Sequence, residues 1–252
     1  MIEIFFYIFL TSLWWAASLS ILLPLVILLL FSQKYNYAWF SFFYSNIVKI
    51  LFYPQILPLR KKIFRILEEN LPGRKKSIPL EILEIGIGPG ANLQFYPENS
   101  NLTVLDVNPS FLEVFNKNKK NYPQVNYKKT ILKPAEDMSE IPDDTFDVVV
   151  STHVLCSVKN VENALKEVKR VLKPNGKYLF LEHVAYPRNQ AGYFIQNYVA
   201  PIWRLYLAGC NPNRTSAEYI KKAGFKDVHV EVSYLSALMV YFRPNILGIA
   251  TK

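Results

Sequence analysis

"LEIGIGPGANL", residues 83 to 93, decides how this chain is read. Gly86, Gly88 and Gly90 fall within five positions and close the short apolar run "LEILEIG", which predicts a buried strand. Glycines at a strand end permit turns closed to other residues and let a ligand approach the backbone. Downstream the pattern alternates. "ANLQFYP" predicts a short helix, "LTVLDV" a strand, and "PSFLEVFNKNKKNY" a helix opened by Pro109. "VNYKKTIL" and "FDVVVST" predict further strands. "NVENALKEVKRVL" predicts an amphipathic helix with Val161, Leu165, Val168 and Leu172 on one face, stopped by "KPNG", and "KYLFLEHV" a fifth strand. "IQNYVAPIWRLYLAGC" and "TSAEYIKKAGF" read as helices, then "KDVHVEVSYL" and "ALMVYFRPNILGIATK" as two late strands. Such alternation implies an α/β, doubly wound parallel sheet with ligands at the carboxyl ends of its strands.

Two ligand classes fit the glycines. Read as G-x-G-x-x-G/A, Gly86, Gly88 and Ala91 meet the dinucleotide fingerprint, with Asp106 about twenty positions on. A dinucleotide site, however, aims a helix N-terminus at a pyrophosphate, where a carboxylate is unwelcome. Glu84 lies two residues before Gly86. A carboxylate there suits the amino group of S-adenosylmethionine, which has no phosphate. Asp106 would then accept the ribose hydroxyls, and "AEDM", residues 135–138, would frame the adenine. "FDVVVSTHVLCSV" would end beside the methyl group.

These ordered blocks, over roughly residues 80–250, resemble a class I S-adenosylmethionine-dependent methyltransferase. The strings "GPGANLQFYP", "DVNPSF", "EDM", "LCSVKN", "EHV", "GCN" and "RPNILGIATK" resemble the membrane-anchored thiol S-methyltransferases. The resemblance implies a seven-stranded Rossmann-like sheet, S-adenosylmethionine as cofactor and a small hydrophobic acceptor, an alkyl thiol first. It implies a membrane-lipid partner and residence on the cytosolic face of the endoplasmic reticulum, with lipid droplets as a second location. The cofactor set is Glu84, Gly86, Gly88, Gly90, Asp106, Asn108, Ala135, Glu136, Asp137 and Thr152. Pro134 stands where the pattern often has Asp, so the adenine contact falls to Glu136 or to the backbone of 135–138. A thiol reacts as thiolate, so a base helps. His183, closing the fifth strand, is the expected base, and His153, closing the fourth, is second. A methyltransferase acting on a lipid, sterol or quinone precursor, and a non-catalytic membrane or lipid-droplet adaptor, are the alternatives.

The N-terminus reads differently. The 28 residues from Ile4 to Phe31 carry no charge, enough helix to exceed a ~30 Å hydrocarbon core. Pro24 makes the segment a kinked span or a hairpin. Tyr35 to Leu59 reads as an interfacial segment, or as a helix packed on the domain. The expected organisation is an anchor over 1–33, an aromatic and basic juxtamembrane segment over 34–76, and the methyltransferase domain over 77–252. Of the net charge of +9, residues 34–76 carry +7, which suits anionic headgroups and argues against nucleic acid. Cys156 and Cys210 with His153, His183 and His229 show no metal-ligand spacing, so no metal is expected.

Overall fold

In the computed structural model, which describes residues 2–71, 74–75, 77–236 and 239–252, seven strands form one sheet. They are β1 (Leu80–Ile85), β2 (Ser100–Leu105), β3 (Val125–Ile131), β4 (Phe146–Thr152), β5 (Leu172–His183), β6 (Asp227–Tyr234) and β7 (Pro244–Thr251), in the order β3-β2-β1-β4-β5-β7-β6. β1 to β5 pair in parallel, and β7 runs antiparallel between β5 and β6. Chain order reverses between β1 and β4, which makes their carboxyl ends the switch-point crevice. The glycine loop opens there, as the sequence predicts.

Helices α1 (Ile2–Ser20), α2 (Leu23–Phe31), α3 (Gln33–Phe43), the one-turn α4 (Lys49–Leu51) and α5 (Tyr53–Glu69) precede the sheet. Helices α6 (Leu112–Asn118), α7 (Val161–Val171), α8 (Ala191–Tyr206) and α9 (Ser216–Lys222) follow. Strand side chains alternate between two cores. Leu83, Val149 and Phe180 face α7 and α9, where Leu165, Val168 and Ile220 meet them. Ile82, Val148, Val150 and Leu181 face α5, which contributes Leu59, Ile63, Phe64 and Leu67. Burying each such side chain is worth roughly 1.5–3 kcal/mol. α5 therefore packs as part of the sheet's core, although it lies inside the segment read as juxtamembrane.

Three local expectations shift. "ANLQFYP" forms only a 3-10 turn at Leu93–Phe95, because Tyr96, preceding Pro97, takes an extended conformation. β5 begins already at Leu172, and a register shift between Phe146 and Val148 absorbs the "KPNG" turn with Asn175 at φ 62°. The last strand starts only at Pro244, after a 3-10 turn at Val240–Phe242; residues 237 and 238 of its string lie outside the described residues.

The uncharged N-terminal stretch is two helices, broken at Ile21 and Leu22, with Pro24 in the first turn of α2. One face of α1 docks on α8. Ile4 and Tyr7 pack near Ile195 and Val199, the Tyr206 hydroxyl donates to Ser18 Oγ (3.0 Å), and Glu3 pairs with Arg243 (2.8 Å). α3 also packs on the domain, with Trp39 Nε1 donating to the Tyr206 carbonyl (3.0 Å). The other face is bare: Ile21 is 78% and Phe31 84% exposed, and Phe5, Phe6 and Phe9 are exposed with them. Within α1, Glu3–Ser20 is long and apolar enough to cross a membrane, with mean hydropathy 1.3.

Candidate active site

The crevice holds a buried polar network at the ends of β1, β2 and β4. Glu84 is 1% exposed and accepts from Asn92 Nδ2 (2.8 Å) and the Tyr96 hydroxyl (2.6 Å). Burial outweighs those bonds and lifts its pKa to about 7. Asp106 follows β2. Its carboxylate accepts the backbone N–H of Gly88 (2.9 Å) and of Asn108 (2.8 Å), tying the glycine loop to the second strand. Burial holds its pKa above the usual value as well. Asn108 caps the following turn by accepting from the Ser110 N–H (2.9 Å), and its amide donates to the Tyr37 carbonyl of α3 (3.0 Å).

The three loop glycines have φ of 69°, 49° and 85°, the left-handed region that disfavours side chains. At Gly86 an added Cβ would overlap a Val154 methyl. At Gly88 it would meet nothing within 4 Å. Packing thus explains the first glycine, while the second leaves open backbone in the crevice, as a close-lying ligand requires.

Arg60 escapes a reading of the sequence alone. It is only 2% exposed, and its Nη1 donates to Asn92 Oδ1 and to Thr152 Oγ1 (3.2 Å). Its Nε has no partner among the described residues. The signal is nonetheless present: Ile56, Leu59, Ile63, Phe64 and Leu67 mark the inward face of α5, and Arg60 falls on that stripe. Buried beside Glu84, a guanidinium with a spare N–H fits a ligand bearing both a carboxylate and an ammonium group. Thr152 accepts from Arg60 and from Asn92 Nδ2 (3.2 Å), so it belongs to the same network.

The 135–138 segment differs. Ala135 is buried in the core. Glu136 accepts the backbone N–H groups of Lys159 (2.6 Å) and Asn160 (3.0 Å), ahead of α7. Asp137 is half-buried, accepts from Ser139 and pairs with Lys133 (3.1 Å); the Ser139 bonds first, then Lys133, lower its pKa to about 2. The Glu136 side chain thus holds the distant segment that leads into α7, and the Asp137 side chain its own turn.

At the ends of β4 and β5 the character changes to aromatic and sulfur-rich. His153 sits at φ 57°, a strained conformation for a non-glycine residue. Its Nε2 meets Asn245 Oδ1 (3.1 Å) and its ring stacks on His183 at 5.4 Å. Burial, then the His183 charge, holds its pKa well below the usual value. His183 Nε2 lies 3.1 Å from Cys210 Sγ, and the two cysteine sulfurs are 3.7 Å apart. Sequence spacing predicts no such grouping; the fold assembles Cys156, His183 and Cys210 with their ligand atoms within 4.8 Å of one another. Phe40, Phe43, Trp203, Leu207 and Phe242 surround them. Desolvation pushes the His183 pKa down, but the neighbouring Cys156 sulfur outweighs it and the net direction is up. The Glu182 carboxylate accepts the N–H groups of Val154 and Leu155 (each 3.1 Å), fixing the loop that carries Cys156; burial lifts its pKa to about 8.

A methyltransferase-domain family model matches residues 83–180. The chain is 34% identical to human Thiol S-methyltransferase TMT1A over 85% of its own length and 86% of that protein. It is 36% identical to rat Thiol S-methyltransferase TMT1B, over 73% and 75% of the two chains. A demethylmenaquinone methyltransferase of Tropheryma whipplei is 29% identical over 50% of this chain and 48% of its own. Among solved structures, a SAM-dependent methyltransferase, possible histamine N-methyltransferase, from Thermotoga maritima superposes with TM-score 0.55 at 17% identity, covering 85% of this chain and 98% of the other. A SAM-dependent methyltransferase from Methanosarcina mazei gives 0.57 at 19% identity, covering 74% and 96%. Both support the fold. The glycine loop, the switch-point crevice and these relatives make the chain an S-adenosylmethionine-dependent enzyme with a class I methyltransferase fold, and it belongs to the TMT1A/TMT1B thiol S-methyltransferase family.

Proposed function

We propose that the protein methylates small hydrophobic thiols at a membrane surface. One observation carries the reading: the crevice ends, beyond its polar cofactor half, in a buried sulfur–imidazole cluster walled by aromatic rings. When bound, S-adenosylmethionine supplies the methyl group as a carbon attached to a sulfonium. Glu84 and Arg60 hold the amino and carboxylate ends of its methionine portion, and Asp106 with Asn108 holds the ribose. The glycine loop lies against the nucleoside, and Ala135, Glu136 and Asp137 line the adenine with their backbone. These residues mainly position the reactants. The acceptor's sulfur rests near the ends of β4 and β5, beside the His183 imidazole, and the Arg60 guanidinium at the end of β4 favours thiolate over thiol.

Membrane attachment is supported by the bare apolar face of α1 and α2 and by the basic excess of residues 34–76. Because α1 is docked on α8 along one side, we propose that the chain lies in one leaflet with its catalytic domain in the cytosol. The proposed locations are the endoplasmic reticulum and lipid droplets.

The test uses full-length protein in detergent with S-adenosylmethionine and equal amounts of an alkanethiol, the matched alkanol and a hydroquinone. Thioether as the main product is expected. Methylation of the hydroquinone alone would replace the thiol reading with the quinone one.

A further inference from the structure

We propose that Cys156, His183 and Cys210 form a zinc site with one open coordination position. The three come from separate parts of the fold: the loop after β4, the last residue of β5, and the turn after α8. All are buried. The sulfur separation is 3.7 Å. Two thiolates on one tetrahedral zinc, at ~2.3 Å bonds, sit ~3.8 Å apart, whereas a disulfide needs ~2.05 Å. The His183 Nε2 to Cys210 Sγ distance of 3.1 Å is about half an ångström short of the corresponding tetrahedral edge, and all three ligand atoms lie within 4.8 Å of one another, so closing on the ion takes side-chain shifts of about an ångström.

The scaffold holds these groups in advance. Glu182 clamps the Cys156 loop through two backbone N–H groups, and it is the residue before His183. Asn211, the residue after Cys210, donates its backbone N–H (2.9 Å) and its amide (3.1 Å) to the Cys156 carbonyl. Arg214 donates to the carbonyls of Leu155 (2.5 Å) and Val158 (2.7 Å), and its own carbonyl accepts from Ala185 beyond β5 (3.0 Å). Each ligand segment is thus tied to the other two. Such outer support is what metal ligands need for a fixed geometry.

Chemistry selects the ion. Two thiolates and one imidazole favour a borderline-soft cation, and Cys2His with a fourth open position is a known pattern of catalytic zinc. Two thiolates and Zn2+ sum to zero charge, which suits the apolar ring of Phe40, Phe43, Trp203 and Phe242. Binding releases the cysteine protons to solvent. The open position would take an acceptor thiol through its sulfur: zinc would lower the thiol's pKa, the proton would leave to solvent as the cysteine protons do, and the thiolate would be the third sulfur ligand. That last assignment rests on the proposed thiol specificity. It makes His183 a ligand in place of the base that the sequence suggests.

The experiment uses the reduced full chain in detergent, with metal content read by mass spectrometry and Co2+ as a spectroscopic stand-in. About one zinc per chain and a thiolate-to-cobalt charge-transfer band are expected. Cys156→Ser, Cys210→Ser and His183→Ala should each cut zinc retention at least tenfold, while the two cysteine variants keep S-adenosylhomocysteine binding, which shows them folded. Zinc-free protein that is folded, binds S-adenosylhomocysteine and gives no cobalt band would overturn the site. So would a Cys156–Cys210 disulfide in the protein as isolated. Bound zinc with no alkanethiol methylation would sustain the metal site and overturn the thiol specificity instead.

Discussion

The two halves of the crevice are built in opposite ways. The proposed cofactor half draws most of its groups from residues 84–108, one strand–loop–strand unit, and couples them through hydrogen bonds to Glu84 and Asp106. The proposed acceptor half gathers Phe40, Cys156, His183, Trp203, Cys210 and Phe242 from distant parts of the chain. The first is polar and locally encoded; the second is apolar and exists only once the sheet and α8 are assembled. On the proposed assignment, cofactor binding and acceptor choice rest on different residues, so each should be breakable without the other.

The largest effect is expected where the halves touch. Gly86→Ala drives a methyl into Val154 Cγ2 at a φ of 69°. Left-handed strain of roughly 1–2 kcal/mol and the overlap add up, so thermal denaturation should show the midpoint lowered by several degrees, with cofactor affinity reduced. Adding Val154→Ala should recover the overlap share but not the strain share, and full additivity of the two would deny the contact.

Next comes Arg60→Met. It removes the buried guanidinium and spares the apolar packing of α5. S-adenosylhomocysteine should bind ~10–100-fold more weakly by calorimetry, in line with a charged hydrogen bond worth ~1.5–3 kcal/mol. Adenosine, which lacks the carboxylate, should bind almost as before. Equal losses for both would assign Arg60 to structure alone.

A pH titration sharpens the same half. The Glu84 pKa of about 7 lies above its usual value, so the buried acid contributes stability that is complete below ~4.5 and lost as pH rises through about 7. Pairing with the cofactor's ammonium needs the carboxylate. Between pH 6 and 8 the apoprotein should therefore lose stability while S-adenosylhomocysteine affinity gains about tenfold. Glu84→Gln should flatten both trends, and parallel trends would contradict the assignment. The smallest effect belongs to the acceptor half: Trp203→Ala should raise the acceptor KM several-fold and leave cofactor affinity within about twofold.

This contrast also explains what the sequence discloses. Strands β1 to β5, the glycine loop, Glu84 and Asp106 follow from apolar runs and local spacing, and the structure places them together. Arg60 is hidden because a cation in "LRKKIFR" reads as surface charge unless the helical face is drawn first. The sulfur cluster is hidden because Cys156 and His183 stand too far apart in sequence for any metal-ligand spacing rule. Parallel pairing sets Thr152 of β4 level with Leu181 of β5, and so brings the segments after both strands together. Cys210 joins them only because α8 returns the chain to the same end of the sheet.

Calorimetric titration of the full chain with S-adenosylhomocysteine, beside Asp106→Ala, tests the proposed cofactor site directly. Micromolar binding by the native chain and a loss of ~100-fold or more in the variant are expected, because two charge-assisted bonds that shape the loop are removed with the proposed ribose contact. Equal affinities in two folded proteins would contradict it.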